Sequence, residues 1–488
     1  MGAVLIISLL VVLYSRIWPY SRESVVQDLT EATDSTVTVQ SFHKTYMPPG
    51  CVIEGLQFQH GPEHFKLITI QKLIIKGTYV GILRRHVSRI TAIGAKVFIP
   101  PFGSNTTFKT EHSETVIDEI VADGSSVEFE PETPDKKPVQ FEVHEALLRD
   151  VRWASPITYR LNFHNPEPPG EISVAGKFGG WTTGHPGDTP LSGDYTFDHA
   201  DLGVYGGIAG TLSSKGRFGG VLQHVNISGT TDVPDFEVAS GGHKVRLDTK
   251  FDAYVDATRG DTFLNRVEAH FGRTTVVSKG KVAKVDDHKG KFTDVQLTVP
   301  KGRIEDILGL FVSEPRSPMS GETSLQAHAE LPPGDERFLK RVKVVGHFGI
   351  EEGTFSKPRT QRDVDELSAG ARGQNKEDPE TVLTDLKGQV VLQGGTAYFS
   401  DLSFGIPGAD AQMHGTYNVI NHKIDLHGKM RVDTKISKTA SGFKSLLLKV
   451  MDPIFKKRKK GEIVPVHIGG TYEKPEFGLD LNPPSTQK

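Results

Sequence analysis

The feature that most constrains this chain is a two-residue alternation of apolar and polar side chains, renewed in one segment after another. From Val245 to Val255 the odd positions hold Val245, Leu247, Thr249, Phe251, Ala253 and Val255, while Arg246, Asp248, Lys250 and Asp252 lie between them. Successive side chains of a β-strand point to opposite faces, so this run has one greasy and one charged face. Val295, Leu297 and Val299 repeat the pattern, as do Met413, Tyr417 and Val419. Ile424, Leu426, Met430 and Val432 take it up again across an Asn421-His422 turn. Sustained over many segments, the pattern predicts a mainly β protein: an elongated, curved antiparallel sheet, wet on one side, with a few short helices.

A repeated phrase points the same way. Val225-Asn226-Ile227-Ser228-Gly229-Thr230 leads to Pro234-Asp235-Phe236, and Val466-His467-Ile468-Gly469-Gly470-Thr471 leads to Pro475-Glu476-Phe477. Each copy reads as a strand, a Gly-Thr break, a Pro-led turn and a new strand, so one unit is used more than once. The shorter echoes Gly176–Gly180 and Gly216–Gly220 read as paired turns. A chain of 488 residues is too long for one small core. Its 51 Gly and 29 Pro suit many strands joined by turns, with no collagen-like period.

Ala3 to Tyr14 is apolar except for Ser8, and Tyr14, Arg16 and Trp18 are residue types that settle at a membrane interface. No basic region precedes Val4 and no small-residue cleavage site precedes Arg16, which favours a retained single-pass anchor over a cleaved signal. The expected organisation is an anchor over 1–19, an N-terminal β region over 20–165, a central sheet over 166–371 and a C-terminal β module over 372–488. Short helices are expected over Val25–Thr33, around Gly81–Val87, over Ile304–Phe311, and over 442–455, where Phe443, Leu446, Leu447 and Val450 recur at helical spacing. That last segment runs into Lys456-Lys457-Arg458-Lys459-Lys460. Phe443, Leu446, Leu447 and the five basic residues are therefore candidate contacts for a membrane or a partner.

The search for chemistry is negative. His144-Glu145 opens like a zinc-protease motif, but the second ligand position is Leu148. The Asp286-Asp287-His288 cluster reads as a hairpin turn, and the glycine phrases lack the ending of a phosphate loop. Cys51, the single cysteine, reads as a buried or turn thiol that can form no intramolecular disulfide. With 57 basic and 60 acidic residues, no global field recruits nucleic acid. No catalytic residue, cofactor or metal ligand is assigned, and no enzyme activity is expected.

Several further stretches carry a resemblance. They are Gly94-Ala95-Lys96-Val97-Phe98-Ile99-Pro100, Asn165–Ile172, Asp188–Gly193, Gly353–Ser356, Ile406-Pro407-Gly408-Ala409, Gly415-Thr416-Tyr417 and Asp452-Pro453. Together with the N-terminal apolar segment, they make the chain similar over nearly its whole length to the AsmA-like family of Gram-negative envelope proteins, in the branch with a C-terminal AsmA-like region. These motifs are turns and strand starts, and they name no catalytic residue. The resemblance implies a single-pass inner-membrane protein with its bulk in the periplasm. It also implies a β-groove that holds or conducts phospholipid between inner and outer membrane, supporting outer-membrane assembly and lipid homeostasis. The expected partners are phospholipid acyl chains, the inner membrane and an envelope protein. Val245, Leu247, Phe251, Val255, Val295, Leu297 and Val299 are the candidate groove face. The alternative is a non-transporting envelope scaffold or assembly factor for outer-membrane proteins.

Overall fold

The computed structural model describes residues 19–33, 35–60, 65–100, 115–130, 138–152, 155–180, 185–238, 242–285, 290–312, 316–317, 319–334, 336–355, 384–406, 409–432, 461–471 and 474–480. Twenty-five strands and four short α-helices fall within them. The chain divides into two compact units. One comprises Met1–Asp201, Leu212–Gly229 and Tyr254–Gly260, the other Leu202–Thr211, Thr230–Ala253 and Asp261–Lys488.

In the first unit, the strands Pro49–His60, Phe65–Gly77 and His86–Ile99 pair antiparallel in chain order. Their registers place Cys51 opposite Ile75, Ile53 opposite Leu73 and Leu73 opposite Ala92, so the apolar members share one face. The predicted first helix forms over Arg22–Thr33 and covers that face. Ser21 starts it, its Oγ accepting the Ser24 N–H at 3.1 Å. Val25 and Leu29, one helical turn apart, reach the core of Ile53, Leu56, Phe58 and Leu67. Gly77 makes room for Tyr20: a Cβ there would fall 2.0 Å from the tyrosine Oη.

Beyond Ile99 the expected antiparallel order is broken once. His86–Ile99 and Val116–Phe129 run parallel, a pairing that two-residue turns cannot make. Antiparallel pairing then resumes through Val139–Val151, Ile157–Pro166, Pro169–Phe178 and Pro190–Asp201. Along Pro190–Thr196 exposed and half-buried residues alternate strictly, the signature of a sheet covered on one side.

In the second unit, eleven strands run from Asp261–Phe271 to Lys474–Leu479, and each pairs antiparallel with the one that follows it in sequence. The helix Ile304–Gly309 forms where Ile304–Phe311 was expected to be helical. Its first turn is fastened by carboxylates. Asp306 accepts from the Arg273 N–H at 2.7 Å and the Thr274 hydroxyl at 2.8 Å. Glu305 accepts from Arg273, from Arg303 and from the Gly321 N–H.

The repeated phrase needs a correction. Its second copy does turn, from the strand Ile463–Thr471 to Lys474–Leu479, with Thr471 opposite Lys474. The first copy lies inside one unbroken strand, His224–Val238. Pro234 cannot donate to a ladder, yet its neighbour Asp235 accepts the Thr211 N–H at 2.7 Å through its side chain. Val233, at 1% exposure, anchors the strand where a turn was expected. Gly216–Gly220 is likewise within a strand, Thr211–Val221, and not a turn. A Cβ on Gly216 would lie 2.3 Å from the Ser228 carbonyl, so this glycine serves close strand approach. The helical turn expected around Gly81–Val87 sits earlier, at Tyr79–Leu83, and Val87 is already extended.

No helix among the described residues is long and apolar enough to cross a membrane. The predicted anchor, Pro19 apart, lies outside the described residues, as do Asp286-Asp287-His288 and the 442–460 segment.

Two predictions follow from these cores. Cys51 is fully buried, and burial pushes its thiol up to about 12. The native protein should resist a thiol reagent at about pH 8 and react with one equivalent after unfolding in guanidinium. Burial pushes the Glu305 carboxyl up, but its own backbone N–H, Arg303 and the Gly321 N–H more than offset this, leaving it below the usual carboxylate range. A depressed carboxyl stabilises the fold above its unfolded value and stops doing so as pH falls through its folded one. Glu305→Gln should therefore cost about 1–3 kcal/mol at neutral pH and progressively less in acid, measured by urea unfolding across pH.

Candidate functional site

The second unit carries an apolar face that register keeps continuous from strand to strand. Val295 stands opposite Ala329, Ala329 opposite Val344, Val344 opposite Leu392, Leu392 opposite Ala397 and Ala397 opposite Tyr417. A second row runs from Leu297 through Ala327, Gly346 and Val390 to Phe399. The reverse side carries Gln296, His328, Gln326, His347 and Gln389 by the same registers.

Burial along this face is uneven in its first strands, where Val299, Ala327 and Ile350 are buried. Val295, Leu297, Leu325, Phe348 and Val390 are half-buried. Toward the C-terminus the face fills in: Met413 and Met430 are 3% exposed and Val464 is 0%. These belong to one cluster with Leu402, Ala409, Ala411 and Val466, against which Met319 and Phe348 also pack. In a flat sheet Met319 would lie three strands, roughly 14 Å, from the nearest strand of that cluster. The contact requires the sheet of this unit to curl over its apolar side. Register shifts between Val299 and Gly302, Ser320 and Glu322, and Phe399 and Leu402 mark the bulges that permit this.

Of the candidate groove residues, Val295, Leu297 and Val299 share this face, Val299 at 1% exposure. Val245, Leu247, Phe251 and Val255 occupy alternate positions of another strand, Val245–Asp256, and all are half-buried. Phe443, Leu446, Leu447 and Lys456, Lys457, Arg458, Lys459 and Lys460 lie outside the described residues.

A cavity of about 810 Å³ is lined from five strands, from Thr298 to Ser403. Its walls include Thr298, Ser324, Gln326, His347, Lys387 and Gln389, which register assigns to the polar side, beside Leu325, Phe348 and Leu386 of the apolar one. Such a mixed lining is not a wholly apolar trough, although it shares Leu325 and Phe348 with the apolar face.

Two charged clusters stand on the sheets. In the first unit Glu171 accepts from His164 Nδ1 at 2.9 Å and faces His144 Nε2 at 3.1 Å, and the His164 contact leads in holding its carboxyl below the usual range. In the second unit Asp425, His427 and His467 converge, and the His467 hydrogen bond leads in lowering the Asp425 carboxyl. Sequence reading missed this group because two ligands come from one strand and the third from a strand some 40 residues on. The period-two spacing of Asp425 and His427 was its only local signal.

No family model matches the chain, and no curated protein or solved structure matches it either.

The contrast between half-buried Leu297 and buried Met430 is testable. Met430→Ala, in the filled region, should cost about 2–4 kcal/mol, and Leu297→Ala, on the half-buried stretch, about half as much. Urea unfolding of both variants checks this, and equal costs would mean that the face is uniformly packed.

Proposed function

We propose that this protein is a membrane-anchored, periplasmic β-groove protein that holds or conducts phospholipid, as its resemblance to the AsmA-like family implies. The observation that carries this reading is the half-buried apolar face running in register through Val295, Leu297, Leu325, Phe348 and Val390. Apolar surface left partly in water gains free energy when acyl chains cover it, at about 25 cal/mol per Å². The reverse side is the more exposed one, with Gln296, Gln326, His328, His347 and Gln389 beside Val345 and Val391, so acyl chains can lie on the apolar side while headgroups stay in water. The N-terminal apolar segment supplies the anchor in this reading, and the bulk of the chain lies beyond the inner membrane.

The scaffold reading is favoured by a different observation, the filled cluster around Met413, Met430 and Val464. A face filled by its own side chains has no room for lipid and serves as a rigid body for a protein partner.

One experiment separates the two. A photo-crosslinking amino acid is placed in the full chain, in cells, at Leu297, at Phe251 or, as the control, at polar-side Gln296. The lipid reading expects phospholipid adducts at Leu297 and Phe251 and none at Gln296, read by mass spectrometry. Protein adducts alone at the apolar positions would replace it with the scaffold, and the absence of any adduct would refute both.

A further inference from the structure

The polar side of the second unit carries an arrangement that neither lipid holding nor scaffolding uses. Three histidines stand in one cross-strand row: His414 opposite His427, and His427 opposite His467. Side chains directly opposite on antiparallel strands are nearest neighbours, and the His427 and His467 rings lie 4.5 Å apart between centroids. Asp425 precedes His427 by two positions and so shares its face. Its Oδ1 lies 3.2 Å from His427 Nε2 and 3.1 Å from His467 Nε2. One ligand atom from each of the three residues falls within 4.8 Å of the others.

From this geometry we infer that Asp425, His427 and His467 form a binding site for a divalent transition-metal ion, with zinc as the first candidate. Donor atoms bound to one tetrahedral zinc at about 2.0–2.1 Å lie about 3.3 Å from each other, close to both carboxylate-to-imidazole separations here. Two imidazoles and one carboxylate suit zinc, copper, nickel or iron, and exclude calcium and magnesium, which take oxygen ligands. Three protein ligands leave further positions for water or a partner's side chain.

Two neighbours support the site beyond its ligands. Asp480 is 8% exposed, and its Oδ2 lies 2.9 Å from His427 Nδ1. A ligating histidine characteristically gives its other ring N–H to a carboxylate, which fixes the tautomer and aims the free nitrogen at the metal. Asp480 does this for Nε2 of His427, and its own N–H is held by the Pro465 carbonyl at 3.2 Å. Asp480 is thus a positioning residue. The second neighbour is Gly469, where a Cβ would lie 2.7 Å from Cε1 of the His467 ring. Glycine at that position leaves the imidazole free to lie where it does.

The ligands come from the strands Ile424–Val432 and Ile463–Thr471, which are adjacent in the sheet but separated in sequence by residues 433–462. A metal ion here staples the two ends of that long connection. Its partner is therefore the ion itself, and its effect is to lock the pairing that closes the filled end of the apolar face.

The test uses the full chain, purified in detergent and stripped with a chelator. Zinc is titrated by calorimetry, and cobalt is followed by its visible absorption as a reporter of nitrogen and oxygen ligation. One equivalent should bind, and His427→Ala or His467→Ala should weaken binding at least 100-fold. Asp425→Asn removes the charged ligand at a side chain that is 54% exposed, and urea unfolding of this variant beside the titration separates lost ligation from lost fold. Asp480→Asn should weaken binding about 10- to 100-fold while leaving the cobalt spectrum of the saturated protein in place. His328→Ala and His347→Ala, on the same side but away from the cluster, serve as controls and should change nothing. Binding that survives in Asp425→Asn and the two histidine variants alike, or no stoichiometric binding in the parent, would overturn the site and leave a hydrogen-bonded ionic cluster in its place.

Discussion

The backbone ladder between neighbouring strands is the constraint on which everything else here depends. Because side chains alternate with a period of two, a slip of one residue in any pairing moves a whole strand's apolar set into water. The registers of the second unit avoid this across the row from Val295 through Ala329, Val344, Leu392 and Ala397 to Tyr417. Glycines enter these rows without breaking them. A Cβ on Gly428 would fall 2.2 Å from the Gln412 carbonyl, so the strands there approach as closely as only glycine permits, and Met413 and Val466 flank the gap. The ladder fixes which face is apolar, and neighbouring side chains decide how far that face is filled.

What could be read beforehand and what could not divides along the same line. The strand runs through Val245–Val255, Val295–Val299 and Ile424–Val432 were legible because alternation is a local property. The helix expected over Val25–Thr33 forms from Arg22, and the Ile304–Gly309 helix was legible from the helical spacing of Ile304, Ile307, Leu308 and Phe311. The errors came where one residue type serves two geometries. Pro234 and Gly216 look like turn residues in sequence but sit in strands: beside Pro234 the strand is held by the Thr211 N–H donating to Asp235, and at Gly216 the Ser228 carbonyl leaves no room for a side chain. The parallel pairing of His86–Ile99 with Val116–Phe129 was not legible at all, since strand direction is set by the connection and not by the strand. The Asp425, His427 and His467 group was invisible for a related reason: it exists only once His427 and His467 are brought opposite each other.

The two sides of the second unit's sheet are therefore coupled through one backbone. Leu426 and Ile468 are opposite one another on the apolar side, and the next register positions put His427 opposite His467 on the reverse. Any interaction that fixes the histidine pair fixes the Leu426–Ile468 pair as well, because a strand cannot slip on one face alone. The same holds one position further, where Gly428 meets Val466 and Met430 meets Val464 at the most deeply buried part of the cluster. Loop closure across residues 433–462 opposes this pairing entropically, and a long connection weakens it slowly with length, as the logarithm. A cross-link of the two strands on the polar side offsets that cost at the place where it is incurred. Apolar packing and the ion site are thus alternative means of holding one register. A chain that used both would keep the C-terminal end of its apolar face closed while leaving the half-buried stretch from Val295 to Val390 free to take a ligand.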